Sequence, residues 1–369
     1  MNARQLIVLA GLAIVSVAAT AAVMKTNATT VASDRRGEAV LPALRSQANE
    51  LASLTIRDGN TTFAVERRDN NFVSDAGYPV KLDTVREVVT SSAELGFEES
   101  RTSDPARYGD LGLADPGGEN GGKEIVFRAG SGEIADIILG NRDATVGSAR
   151  GGQYVRLKGG PQTWLARGTV QLPANRADWF VPIDFNVKRS EIKALEMTGG
   201  DLGAVAATAA QPGEFTLQNV PEKRTPESFK VSQLATLFDA FGFQDVRRRT
   251  GPAPADARHI TAEADGLRLT LTNVGALSDG WVQIKAEATD DAKREQANAI
   301  TTKTDGFEFR LPSQQTEILS WTANDVTAEA PEPPTAEQPG DQPGAPPATP
   351  PGEAPTGQPA GAGAGATKP

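Results

Sequence analysis

The chain has no cysteine, one histidine and few aromatic residues (5% of 369). Without cysteine there is no disulfide, no thiolate zinc site and no thiol nucleophile. The single histidine, His259, stands at the head of a strand-like run with no serine motif beside it, and reads as a structural residue rather than a catalytic one. Three tyrosines and four tryptophans offer little material for an aromatic-lined ligand pocket. The core must instead rest on valine, leucine, isoleucine and alanine. Positive charge is also short, with 37 Lys and Arg against 47 Asp and Glu, a net charge of -10. Such a chain does not attract a phosphate backbone, which argues against nucleic acid as a partner. Nor would its soluble part adhere to anionic lipid.

Against these absences stand two conspicuous ends. Leu6 to Met24 is an uncharged run of nineteen residues, preceded by Arg4 and followed by Lys25. At 1.5 Å per residue it would span about 29 Å, close to a hydrocarbon core. Residues 1–25 are therefore expected to be a membrane anchor, a single pass of the inner membrane with the soluble part in the periplasm. The alternative is a secretory signal cut near Ala19-Thr20-Ala21, which would release the chain to the periplasm. At the other end, residues 331–369 hold 12 of the 25 prolines. With almost no apolar side chain to offset ordering entropy, residues 326–369 are expected to form a disordered tail.

Between the ends the pattern repeats. A linker and helix (26–50) precede Leu54-Thr55-Ile56, a turn at Asp58-Gly59-Asn60, and Phe63-Ala64-Val65, an alternation typical of a hairpin. Leu82, Val85, Val89 and Ala93 recur at helical spacing, with Asp83 placed to cap the start. Leu95-Gly96-Phe97 then leads into a strand. Downstream, Val231, Leu234, Leu237, Phe238 and Phe241 mark a helix over 230–241, followed by Phe241-Gly242-Phe243 and another strand. The spacing predicts two copies of one α+β module, over 51–185 and 190–325. Each would be an antiparallel sheet with a packed helix, so the fold class is an N-terminal transmembrane helix, two tandem modules and the tail.

No constellation of residues points to catalysis, and no cofactor or metal is expected. Glu98 and Glu99 are strand neighbours, which point to opposite faces. Asp290 and Asp291 precede a helical run, where acids satisfy unpaired amides. Arg247-Arg248-Arg249 reads as a solvated strand end. The pairs Gly117-Gly118, Gly121-Gly122 and Gly151-Gly152 lack the strand-glycine-helix context of a phosphate loop and read as flexible hairpin loops. Two turn-rich aromatic spots, Tyr108 in one loop and Trp179-Phe180 in another, are the candidates for partner contact, with core plugs as the competing reading.

Tyr78-Pro79-Val80, the helix over 82–94, the run from Asp104-Pro105-Ala106-Arg107-Tyr108 to Leu111-Gly112-Leu113, Gln153-Tyr154-Val155-Arg156 and Asp178-Trp179 occur in that order. Together they resemble the envelope proteins of domain-of-unknown-function family 4340, well over 1–185 and more loosely over 190–325. The resemblance implies a membrane-anchored protein without established enzymatic activity, associated with an ABC-type transport system similar to the gliding-motility permease complex. The long proline-rich tail departs from it. The expected function is thus a non-enzymatic accessory or assembly subunit of such a system, and the alternative is a periplasmic ligand- or glycan-binding protein.

Overall fold

A computed structural model describes residues 35–130, 132–146 and 151–331. A first sheet is built from β1 (Leu51–Asp58), β2 (Thr61–Arg68), β3 (Asn71–Ser74), β4 (Pro79–Val80), β5 (Gly96–Ser100), β6 (Lys123–Ala129), β7 (Gly132–Asp143), β8 (Gly152–Leu157) and β9 (Thr163–Arg167). Its strand order is β4-β3-β2-β1-β6-β7-β8-β9-β5. The chain continues through β10 (Ile192–Thr198), β11 (Val205–Gln211), β12 (Glu214–Leu217), β13 (Arg224–Pro226), β14 (Asp245–Arg248), β15 (His259–Ala264), β16 (Leu267–Asn273), β17 (Trp281–Ala288), β18 (Phe307–Arg310) and β19 (Thr327–Glu329). The second sheet runs β12-β11-β10-β15-β16-β17-β18-β14, while β13 and β19 form a separate ribbon. Every strand pairing in these sheets is antiparallel.

Matched strand by strand, the two sheets have one topology. β1, β2 and β3 take the places of β10, β11 and β12, β5 that of β14, and β6 to β9 those of β15 to β18. Gly96 and Gly242 each sit at the entry to the edge strand that folds back beside the last strand of its sheet.

Among the described residues helices are few and short. α1 (Pro42–Gln47) starts at its proline, which tolerates the first helical position because no amide is needed there. α2 (Leu82–Ala93) buries Val85, Val88 and Val89. α3 (Ser228–Gln233) and α4 (Thr236–Asp239) follow in the second half. α5 (Arg294–Thr304) and α6 (Ser313–Leu319) complete the set.

The α+β class with an N-terminal transmembrane helix is therefore corrected to a mostly antiparallel-sheet fold with few helices. Among the described residues no helix is long and apolar enough to cross a membrane. This overturns the single-pass inner-membrane placement. The run Leu6 to Met24 that carried it, and the tail from 332, lie outside the described residues. The helix expected over 230–241 is two pieces, because bonds at Leu234, Ala235 and Leu237 run to residues three back and tighten the turn between them. Asp83 lies in the first turn of α2, and the capping position belongs to Lys81.

Alternation places Leu54, Ile56, Phe63, Val65, Ile125, Phe127, Ile137 and Leu139 on the core face of the first sheet. Each such side chain contributes roughly 1.5–3 kcal/mol on burial. Leu195, Met197, Ile260, Leu269, Leu271 and Ile284 belong to the same cluster from the second sheet. One continuous core thus serves both sheets.

Candidate functional site

The opposite face of the first sheet is covered by the excursion between β5 and β6. Asp104 accepts a bond from the Ala106 amide (3.0 Å) and starts a 3-10 turn at Pro105–Arg107. Tyr108 and Leu113 then pack on Ile138, in a small cluster separate from the main core. Arg156, buried on β8, clamps this cap. Its Nε and a terminal nitrogen donate to the Leu113 carbonyl at 3.2 and 3.1 Å. The guanidinium also pairs with Asp115 at 2.6 Å and lies 4.6 Å from the Tyr108 ring centre. Tyr108, a candidate partner contact, is buried here, and its hydroxyl donates to the Pro161 carbonyl.

The cap shapes β7 beneath it. A Cβ on Gly140 would stand 2.3 Å from the Leu111 carbonyl oxygen, and one on Gly122 would stand 2.7 Å from that of Gly112. These glycines let the loop lie flat on the sheet, so the pair Gly121-Gly122 is a packing contact rather than a flexible hairpin loop. Between the pairs Leu139–Val155 and Arg142–Gln153, Gly140 and Asn141 oppose the single residue Tyr154. That is a bulge, which re-aims the side chains that follow it. Gln153, buried beside the bulge, donates to the Gly140 carbonyl (3.2 Å) and accepts from the Val170 amide (3.0 Å). Arg142 donates to the Val170 carbonyl (3.2 Å).

The result is a groove. A cavity of about 400 Å³ is lined by Asn120, Asn141, Arg142 and the glycines. A second, of about 190 Å³, is lined by Ile56, Phe63, Arg176 and Trp179. The two share Asp58, Lys123, Leu172, Pro173 and Ala174 as walls. Lys123 pairs with Asp58 at 2.7 Å. Arg142 has no ion-pair partner among the described residues. Sequence reading missed this site, although Gly140 inside a strand pattern is a bulge signal that could have found it.

Beside the cap lies a lattice of charges. Glu124 on β6 is buried and pairs with Arg57 (2.5 Å) and Lys158 (3.1 Å). Burial pushes its carboxyl up, but these two cations outweigh burial and hold it below the ordinary range. Asp136 on β7 has no such partner. Burial, with Glu124 and Glu133 nearby, pushes its carboxyl up to about 6. Its Oδ1 makes no hydrogen bond.

Trp179 and Phe180 are buried at the seam between the sheets, and Trp179 also lines the second cavity. Trp179 packs 5.3 Å from Phe63, and Phe180 lies 5.9 Å from Tyr78. Tyr78 in turn meets Phe243, Phe307 and Phe309 of the second half at 5.2–5.7 Å. Its hydroxyl donates to the Val181 carbonyl, and burial raises its pKa. Arg176 bridges Asp75 (3.2 Å) and Asp245 (2.8 Å) across the same seam.

The remaining sequence candidates are structural. The His259 ring contacts Thr272 Oγ1 at 3.0 Å. Asp290 accepts from the Ala292 amide at the start of a 3-10 turn, and Asp291 pairs with Arg294. The arginine run closes β14 as a strand end with Arg248 and Arg249 exposed, and its charges are engaged there. Arg247 pairs with buried Glu308 (2.7 Å) and lies over Trp281, Arg248 lies over Phe307, and Arg249 pairs with Asp305 (3.4 Å). No group of acids and histidine that could hold a metal occurs among the described residues.

The family model of a domain of unknown function, DUF4340, matches residues 71–264, more than half of the chain. The match crosses the seam and takes in the cap, the bulge and the clamp. No curated protein and no solved structure matches.

Proposed function

The chain belongs to the DUF4340 family, and from that premise we propose that it is a non-enzymatic binding protein, an accessory or assembly subunit that works by contact beside an ABC-type permease. One observation carries the binding role. Part of the residues through which the chain resembles the family meet at one groove: Gly109, Gly112 and Gln153 line its polar end, Trp179 lines its apolar end, and Arg156 clamps the cap at Leu113. Lys123 and Arg176 are held in ion pairs and Arg142 spends one nitrogen on the Val170 carbonyl, as in a rigid scaffold that presents a surface. The ABC-type partner rests on the family resemblance alone.

Affinity capture with the tagged full chain from a detergent extract tests this reading. Stoichiometric recovery of an ABC-type permease is the expected result. Absence of any permease, together with a small molecule retained in native mass spectrometry, would overturn it in favour of ligand binding.

A further inference from the structure

We propose that the groove at the β7 bulge takes an extended peptide segment of a partner protein, with a carboxylate of that segment on Arg142 and an apolar side chain at the end lined by Ile56, Leu172 and Trp179. This deepens the contact role proposed above and rests on it for the claim that a protein partner exists.

Three features argue for a peptide. The first is the division of the groove into a polar end (Asn120, Asn141, Arg142) and an apolar end (Ile56, Phe63, Trp179), joined through five shared residues. A chain of alternating character fits such a groove better than a compact ligand. The second is the wall. Leu172 and Ala174 make no hydrogen bond among the described residues. With Pro173 they line both cavities, so this unpaired stretch of main chain stands at the groove wall. Main-chain bonds to such a stretch supply affinity without sequence demand, and pockets supply the specificity. A stacking platform for a sugar is missing from this groove, since Trp179 is 3% exposed and cannot offer a face.

The third feature is charge. Lys123 is neutralised by Asp58 at 2.7 Å. Arg142 is exposed and spends one terminal nitrogen on the Val170 carbonyl. A guanidinium has five N–H donors, so a planar fork remains for a carboxylate. The bulge is what brings it there. An unbroken ladder would give Asn141 and Arg142 the opposite faces. An acidic side chain and a chain terminus present the same carboxylate chemistry to Arg142.

Panning a random dodecapeptide phage library against the full chain provides the test, followed by titration of synthetic hits with free or amidated C-termini and with acid-to-amide replacements. Hits should pair a carboxylate with an apolar residue. R142E should weaken them at least tenfold, while R86E, a charge reversal on α2 away from the groove, should leave affinity unchanged; amidation that abolishes binding assigns the carboxylate to a terminus. Thermal melting of R142E must match the wild type, and R142Q serves as a second variant if it does not. Hits that bind R142E and R142Q as well as wild type overturn the proposal, as does a library that yields no peptide. If permease is captured equally by wild type and R142E, the groove assignment fails and the accessory role stands. If Arg142-dependent peptides are found but no permease, the reverse holds.

Discussion

At the scale of single residues, Asp136 and Arg156 show opposite uses of charge on one sheet face. Asp136 is held near a pKa of about 6 by burial, against about 3.9 in an unfolded chain. Between those values the folded protein keeps a proton that the unfolded chain has released. Stability is therefore lost as pH rises from about 4 to about 6, and the penalty persists above. Glu124, held low, behaves in the other sense: it stabilises above its unfolded pKa, and that contribution is lost as pH falls through its folded value. D136N should raise stability at pH 7.5 by about 1 kcal/mol, well below the full value of a two-unit shift because the carboxyl is half-exposed and screened. The gain should vanish at pH 3.5. Urea denaturation at both pH values decides it, and an equal gain at each would contradict the argument. Arg156 is a clamp, and R156A should cost about 2–4 kcal/mol, since the Leu113 carbonyl and the buried Tyr108 lose their partner together. R156K should recover little, because one ammonium cannot supply the fork that holds Leu113 and Asp115 at once. Alternation along β7 puts Asp136 on the face opposite Ile137. That Glu124 is its diagonal neighbour was not legible, since the register of β6 against β7 is set by pairing across the sheet.

At the scale of elements, the hairpin Leu54 to Val65 and the helix beginning at Leu82 could be read from period alone, because each buries one face against a core. The outer-face cap could not. Its residues have no period, and their purpose depends on a sheet surface assembled from strands far apart in sequence. The glycines show the same limit. Gly140 looks like any strand glycine until the cap is placed over it. G140A should cost about 1–3 kcal/mol by driving its Cβ against the Leu111 carbonyl. G130A, where an added Cβ meets nothing within 4 Å, is the matched control and should change stability little. The two can be compared in one urea series, and equal effects would show that the cap does not rest on β7. The partner of Arg247 was hidden for a similar reason. Arg247 finds Glu308 only because β14 returns to lie beside β18.

At the scale of the whole molecule, the question is whether two sheets of one topology fold as one body. The seam says that they do. Tyr78 belongs to the first half by sequence but packs against Phe243, Phe307 and Phe309 of the second. The segment carrying Trp179 and Phe180 closes over the same place, with Val181 donating to the Pro79 carbonyl. Arg176 spans Asp75 and Asp245. Aromatic truncation at such a site leaves a cavity that neither sheet can fill alone, and Y78A should cost about 3–5 kcal/mol. W179A should lower the melting temperature for the same reason, by opening the seam beside Phe63. The more telling measurement is where the loss appears. If the sheets are coupled, hydrogen exchange in Y78A should accelerate in β14 and β18 of the second sheet as well as in β3 of the first, and unfolding should remain a single transition. Acceleration confined to the first sheet, or two separate transitions in the wild type, would mean that the halves are independent bodies joined by a tether. In that case the groove, whose apolar end is walled by Arg176 and Trp179 at the seam, would lose the fixed geometry on which its proposed peptide specificity depends.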